Sequence, residues 1–274
     1  MSERLAPGSL RYFAVLFAAP DARSVLAALY AFEDEVRRVA AGVSHEAAHA
    51  RLGWWRGEVD RLAAGRPEHP IAAALLPLRS FPDGDPTLLH EMLAAADLDL
   101  ARITYRTWPE LEAYCFRSAG ALQTLMAATL AGDRALTPTE REFSRRLGSA
   151  VRQVEMLRDL HVDIAAGRLY APLEPMEAAG VAPSDLREGA STPAAERFLA
   201  EWSVRAKDEL AALPAVLADA SERSRQRHGL VLGALHARLL ASLAASRIAS
   251  PRARTELGPL NRLWTAWRTA LRYA

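Results

Sequence analysis

Apolar residues recur at helical spacing from Leu10 to the end of the chain, and no stretch shows the alternation of a half-buried strand. A chain patterned this way can only bury its apolar faces by packing helix on helix. With 274 residues, half of them hydrophobic, it suffices for one domain with a sizeable core, taken here as residues 1–274. Thirty-four basic side chains meet 33 acidic ones, a net charge of +1, so no basic footprint for nucleic acid exists. Arg carries nearly all the positive charge, and Lys207 is the only lysine. Cys115, the only cysteine, excludes an intrachain disulfide and a multi-cysteine zinc site. The first residues lack a basic segment followed by an apolar run and a cleavage site, and no run of about 18 apolar residues occurs. A soluble, cytoplasmic protein is expected, one that can still meet a greasy ligand at a membrane surface.

Turn and cap residues divide the pattern. Leu10 to Ala41 reads as helix with one break at Ala19-Pro20-Asp21, where Asp21 caps the second piece and Gly42 ends it. Glu33–Arg37 and Asp34–Arg38 are spaced as intrahelical ion pairs. Ser44 caps the next helix, which stops at Gly65 and carries the adjacent Trp54 and Trp55, one for the core and one for a surface. His45 and His49, four residues apart, have metal-pair spacing but no third ligand in view, and are read as structural. Thr107-Trp108-Pro109-Glu110 opens a long apolar helix containing the small residues Ser118 to Ala121, which admit close approach of another helix or a ligand. Thr137-Pro138-Thr139-Glu140 opens another. Helices over roughly 194–218 and 221–247 follow, with Pro214 kinking or shortening the first. A last one, from about Pro259, carries Trp264 and Trp267. About ten helices are expected in all.

The stretch Gln153–Pro172, QVEMLRDLHVDIAAGRLYAP, holds the candidate chemistry. Glu155, Asp159 and Asp163 are four apart and share one helix face. Stacked carboxylates repel unless cations sit among them, and Mg²⁺ takes carboxylate oxygens together with phosphate and water. Spacing leaves two readings open: a Mg²⁺–diphosphate face, or a solvated acidic face balanced by Arg152 and Arg158.

Four segments, in order, resemble the squalene/phytoene synthase family. ALYAF at Ala28–Phe32 is similar to the end of its first core helix. WWRGEVDRLAAGRPEHPIAAAL is similar to its second-helix block, and YCFRSAGAL to its YCY-x-VAG helix. MLRDLHVDIAAGRLYAPLEPMEAAGV resembles its block ILRD-x-x-x-D-x-x-x-GR-x-YLP. The resemblance implies an all-α, single-domain, isoprenoid-synthase-like bundle around a central cavity. It implies Mg²⁺ as cofactor and a prenyl diphosphate, farnesyl or geranylgeranyl, as substrate. Asp159, Asp163 and Arg158 would be catalytic, and Asp159, Asp163 and Glu155 would hold metal. Arg37, Arg38, Arg152, Tyr30, Phe116, Gly120, Arg168 and Tyr170 would contact substrate, with Phe32, Ala119 and Leu157 in the cavity wall. Peripheral membrane association goes with a substrate of this kind.

The departures bear on activity. The family's first acidic motif, of the type D-D-x-x-D, falls at Arg37, Arg38 and Ala41, so its three acids are absent. Its Asn four residues before the matched Asp is Glu155, and its Gln seven residues before is Arg152. Two expectations follow. Either Arg37 and Arg38 replace metal as counter-charge for a diphosphate while Glu155, Asp159 and Asp163 hold the remaining Mg²⁺, and the chain processes one prenyl diphosphate, or Arg37 and Arg38 pair with Asp159 and Asp163 and the chain is an inactive relative that binds a lipid or protein. The segment ALYAFEDEVRRVA…RLGWWR also resembles the family's branch of respiratory complex I assembly factors, which lack the metal motifs and act as binding proteins; that branch is not expected to keep Arg158-Asp159-x-x-x-Asp163. A true squalene or phytoene synthase is the third reading, set back by the missing first motif.

Overall fold

The computed structural model describes residues 5–41, 44–187, 192–245 and 255–274. In it the chain forms α1 (Leu10–Leu16), α2 (Arg23–Ala40), α3 (His45–Ala63), α4 (Pro70–Ala74), α5 (Leu89–Leu100), α6 (Trp108–Cys115), α7 (Ala121–Ala131), α8 (Pro138–Ala165), α9 (Leu173–Ala178), α10 (Pro183–Arg187), α11 (Pro193–Val216), α12 (Ala220–Arg225), α13 (Arg227–Ala245) and α14 (Pro259–Arg272). No strand occurs among the described residues. The count exceeds the expected ten because proline and turn residues cut off short helices such as α4, α9 and α12.

Caps place most of the starts. Ser44, Thr107 and Thr192 each accept a hydrogen bond from a first-turn amide. Thr137 and Glu140 form a reciprocal capping box at the head of α8. Gly65 and Gly167 follow α3 and α8 at φ +80°, the left-handed region that glycine enters without steric penalty. Asp21 does not cap α2: its Oδ1 accepts from the Ala22 amide at 3.0 Å, one residue too early, and Ala22 occupies the cap position. The expected stop at Gly42 lies outside the described residues. Pro214 sits two residues from the end of α11 and shortens it rather than kinking its middle.

Two apolar clusters flank the long helix α8. One joins α8, α11, α13 and α14 around Phe143, Leu147, Trp202 and Leu235. The other joins α2, α3, α5 and α7 around Leu26, Phe32, Trp55 and Leu93. Trp55 is buried and Trp54 is 45% exposed, the division expected of adjacent tryptophans. α6 runs into α7 through a π turn, Phe116–Gly120. There α8 comes so close that a Cβ on Gly148 would lie 2.5 Å from Gly120 Cα, which is why the small-residue patch exists. α13 is long and apolar enough to cross a bilayer by composition, yet 61% of its apolar window is buried in the bundle.

Candidate functional site

α8 presents Glu155 to the space between the two clusters, and α2 presents Glu33 and Arg37 to the same space. All three follow from helical phase: Leu26, Leu29, Tyr30, Glu33 and Val36 lie on the buried face of α2, and Arg37 edges it. Arg37 Nη2 donates to Glu33 Oε1 at 2.6 Å and to Glu155 Oε2 at 2.7 Å. Arg11, from α1, reaches both acids: its Nη2 is 2.9 Å from Glu33 Oε2 and 3.7 Å from Glu155 Oε1. The Glu33 contact is an ion pair without hydrogen-bond geometry, since Oε2 has no hydrogen-bond partner. Arg152 Nη1 stands 3.7 Å from Glu155.

Beside this cluster is a second. Asp99 Oδ1 accepts from the phenols of Tyr114, at 2.8 Å, and Tyr170, at 2.7 Å. Arg152 Nη2 donates to the Tyr114 hydroxyl at 3.0 Å, and its guanidinium lies over the Tyr170 ring at 5.1 Å. Arg152 thus joins the two clusters. Arg11, Arg37 and Arg152 face Glu33, Asp99 and Glu155, three cations to three anions. The cavity left between them, lined by Glu33, Arg37, Asp99, Tyr114, Ser118 and Arg152, is about 20 Å³, room for about one water.

Burial opposes the charge on Glu155, but Arg37 and Arg11 outweigh it and hold the carboxyl well below the usual carboxylate range. Burial likewise opposes Arg37, and Glu155 and Glu33 keep it firmly protonated. Asp163 goes the other way: burial raises it despite Arg152 and Arg168.

The sequence model of the squalene/phytoene synthase family matches residues 6–259. This chain belongs to the squalene/phytoene synthase family. It is 29% identical over 202 residues to phytoene synthase 3 of Zea mays, covering 72% of this chain and 47% of that protein. To 15-cis-phytoene synthase of Synechocystis it is 32% identical over 151 residues, covering 50% and 44%. The chain spans about half the length of the curated relatives it matches. Among solved structures it resembles a dehydrosqualene synthase, with a TM-score of 0.78 and 19% identity over 96% of this chain and 90% of that one, a likeness of fold.

Squalene/phytoene synthases are generally divalent-metal-dependent prenyltransferases acting on prenyl diphosphates. The residues expected to hold metal here do not fit one in this arrangement. Glu155 is taken by Arg37 and Arg11. Asp159 accepts from its neighbour Arg158 at 2.6 and 3.0 Å, and Asp163 from Arg168 at 2.8 and 3.2 Å. No group of three His, Cys, Asp or Glu among the described residues is arranged to hold a metal ion. The three carboxylates share a helix, as their spacing requires, but each faces a guanidinium.

The arginines expected to contact substrate are also engaged. Arg37 pairs with Glu155 rather than with Asp159 or Asp163. Arg38 is largely exposed and pairs with Glu35, three residues before it, while Asp34 pairs with Arg11 at 2.6 Å; the expected Asp34–Arg38 pair is therefore replaced. Tyr30 is buried beside the cluster: the Arg11 guanidinium lies over its ring at 5.1 Å, and its hydroxyl is 3.1 Å from His228 Nε2 on α13. Phe116 packs on Gly120, where a Cβ would meet its ring at 2.8 Å. Ala119 and Leu157 are buried, and Phe32 stands edge-on to Trp55 in the core. Arg11, Asp99 and Tyr114 belong to the site and are absent from the expected set. Arg11 comes from a separate helix and Asp99 from the end of α5, so no local spacing links them to α8.

Proposed function

We propose that this squalene/phytoene synthase family member acts by binding a lipid or protein partner, in the manner of an assembly factor, and not by metal-dependent prenyl transfer. The observation that carries the reading is Arg37 donating to Glu33 and Glu155 together. Where an active relative needs acids on both helices, this chain supplies its own cations. Three guanidiniums against three carboxylates leave no surplus positive charge for a diphosphate. Cytoplasmic placement belongs to the same proposal.

A second reading has its own support. The block from Arg158 to Pro172 keeps the Arg-Asp-x-x-x-Asp and Gly-Arg-x-Tyr pattern, and the relatives at about 30% identity are named phytoene synthases. On that reading the chain is a Mg²⁺-dependent enzyme acting on one prenyl diphosphate. Calorimetric titration of farnesyl and geranylgeranyl diphosphate, with Mg²⁺ and with chelator, separates the two. The binding-protein reading expects no Mg²⁺-dependent binding and no release of pyrophosphate. Micromolar, Mg²⁺-dependent binding that weakens in Asp159→Asn overturns it in favour of the enzyme.

A further inference from the structure

α14 is built the wrong way round for a core helix. Its inward face carries alanines: Ala266 and Ala270 are buried in the cluster it shares with α13. Its large apolar residues, Leu260, Leu263, Trp264, Trp267 and Leu271, fall at i, i+3, i+4, i+7 and i+11 and face solvent. They are 83%, 45%, 57%, 44% and 57% exposed, five of the eleven large exposed apolar side chains among the described residues. A contiguous stripe of this kind marks an interaction surface.

Charge says what covers it. α14 packs with α13 and α1, and none of the three helices contains an Asp or Glu. Arg268 and Arg272 stand exposed beside the stripe, and Arg238 of α13 is exposed nearby, next to Asn261. The sequence has the same bias. From residue 246 to 274 there are six arginines and one acid, Glu256, so this stretch carries +5 while the whole chain carries +1. A second copy would bring like charge against like charge. An apolar face of Leu and Trp beside an arginine edge suits a bilayer interface, where the apolar face enters the acyl boundary, Trp sits at headgroup level and Arg meets anionic headgroups.

We propose that the outward face of α14 docks this protein on the surface of an anionic lipid bilayer, lying in the interface without spanning it. The test is sedimentation of the full chain with vesicles of phosphatidylcholine alone and of phosphatidylcholine with phosphatidylglycerol. Binding to the anionic vesicles is expected, with strong weakening at high salt. Arg268→Glu with Arg272→Glu should weaken partitioning by roughly tenfold or more. Trp264→Ser with Trp267→Ser should abolish it, whereas Trp264→Phe with Trp267→Phe should retain it. All six substitutions are at exposed positions, and unchanged circular dichroism and melting confirm the fold. Failure of the wild-type chain to bind anionic vesicles overturns the proposal. So does binding that both the charge-reversed and the serine variants retain, or dimerisation that the serine variant abolishes while vesicles are ignored.

Discussion

One nitrogen of Arg37 donates to Glu33 and to Glu155, carboxylates 122 positions apart in the chain that would otherwise face each other buried. Removing one partner of a buried ion pair typically costs about 3–5 kcal/mol. Here Arg11 remains within reach of both acids, and Arg37 is one-third exposed. Arg37→Met should therefore destabilise by about 2 kcal/mol, a drop of several degrees in the thermal midpoint. In a double-mutant cycle, Glu155→Gln should recover part of that loss, because it removes the stranded charge.

On the binding-protein reading, each carboxylate of the α8 face keeps its guanidinium and Mg²⁺ does not stabilise the fold. Thermal melts in millimolar Mg²⁺ and in chelator should coincide within about 1 °C, since only a ligand that prefers the folded state raises the midpoint. A clear Mg²⁺-dependent rise, lost in Asp159→Asn, would contradict that reading and favour the enzyme.

Gly148 should tolerate no side chain. A Cβ there would lie 2.5 Å from Gly120 Cα and 2.6 Å from Gly120 N, both backbone atoms with nowhere to move. Gly148→Ala should cost about 3 kcal/mol or more by forcing α8 away from the π turn. Urea unfolding measures it, and a loss under 1 kcal/mol would mean the two helices separate freely.

Asp99 satisfies two phenols at once, those of Tyr114 and Tyr170, which are 2% and 4% exposed. Asp99→Ala should cost about 2–4 kcal/mol by orphaning both hydroxyls. Asp99→Asn keeps an acceptor and should cost less than half as much. Equal losses would argue that charge, not the hydrogen bonds, matters at this position.

Acid should weaken the fold through two buried histidines. Burial depresses His228 and His236 from 6.5 to about 4. Between those values the unfolded chain binds protons that the folded chain does not, so the contribution is complete above about pH 6.5 and is lost as the pH falls toward 4. It is on the order of 3 kcal/mol for each histidine. Glu155, held low, adds a further loss at more acid pH, while Asp163, raised by burial, works in the opposite direction. Urea midpoints should fall steeply from pH 7 to pH 5, and His228→Gln with His236→Gln should flatten that slope.

Helix periodicity and caps made the bundle legible. Thr137 with Glu140, Ser44 and Thr107 announce their helices locally, and the intervals between apolar residues carry the rest. The shared face of Glu155, Asp159 and Asp163 was legible too, as was the replacement of acids by Arg37 and Arg38. What the acids bind was not. Arg158 and Arg168 take Asp159 and Asp163 from one and five residues away, so these pairings compete with the metal reading inside the same motif. Arg11 and Asp99 reach the site through tertiary packing alone. One sign was available: Glu33 lies in phase with Leu26, Leu29 and Tyr30, and an acid on an apolar face implies a buried counter-charge from elsewhere.

Arg37 is a ligand that cannot diffuse away. Held by α2 one turn from Glu33, it sits beside Glu155 at a local concentration that a free ion in solution does not match. A cation seeking Glu155 must displace a group that is tethered and already oriented, and a mutation that lengthened its reach or shifted α2 by one residue would reopen the contest. On the proposed reading, the bundle carries its own competitive inhibitor of metal binding, written into α2.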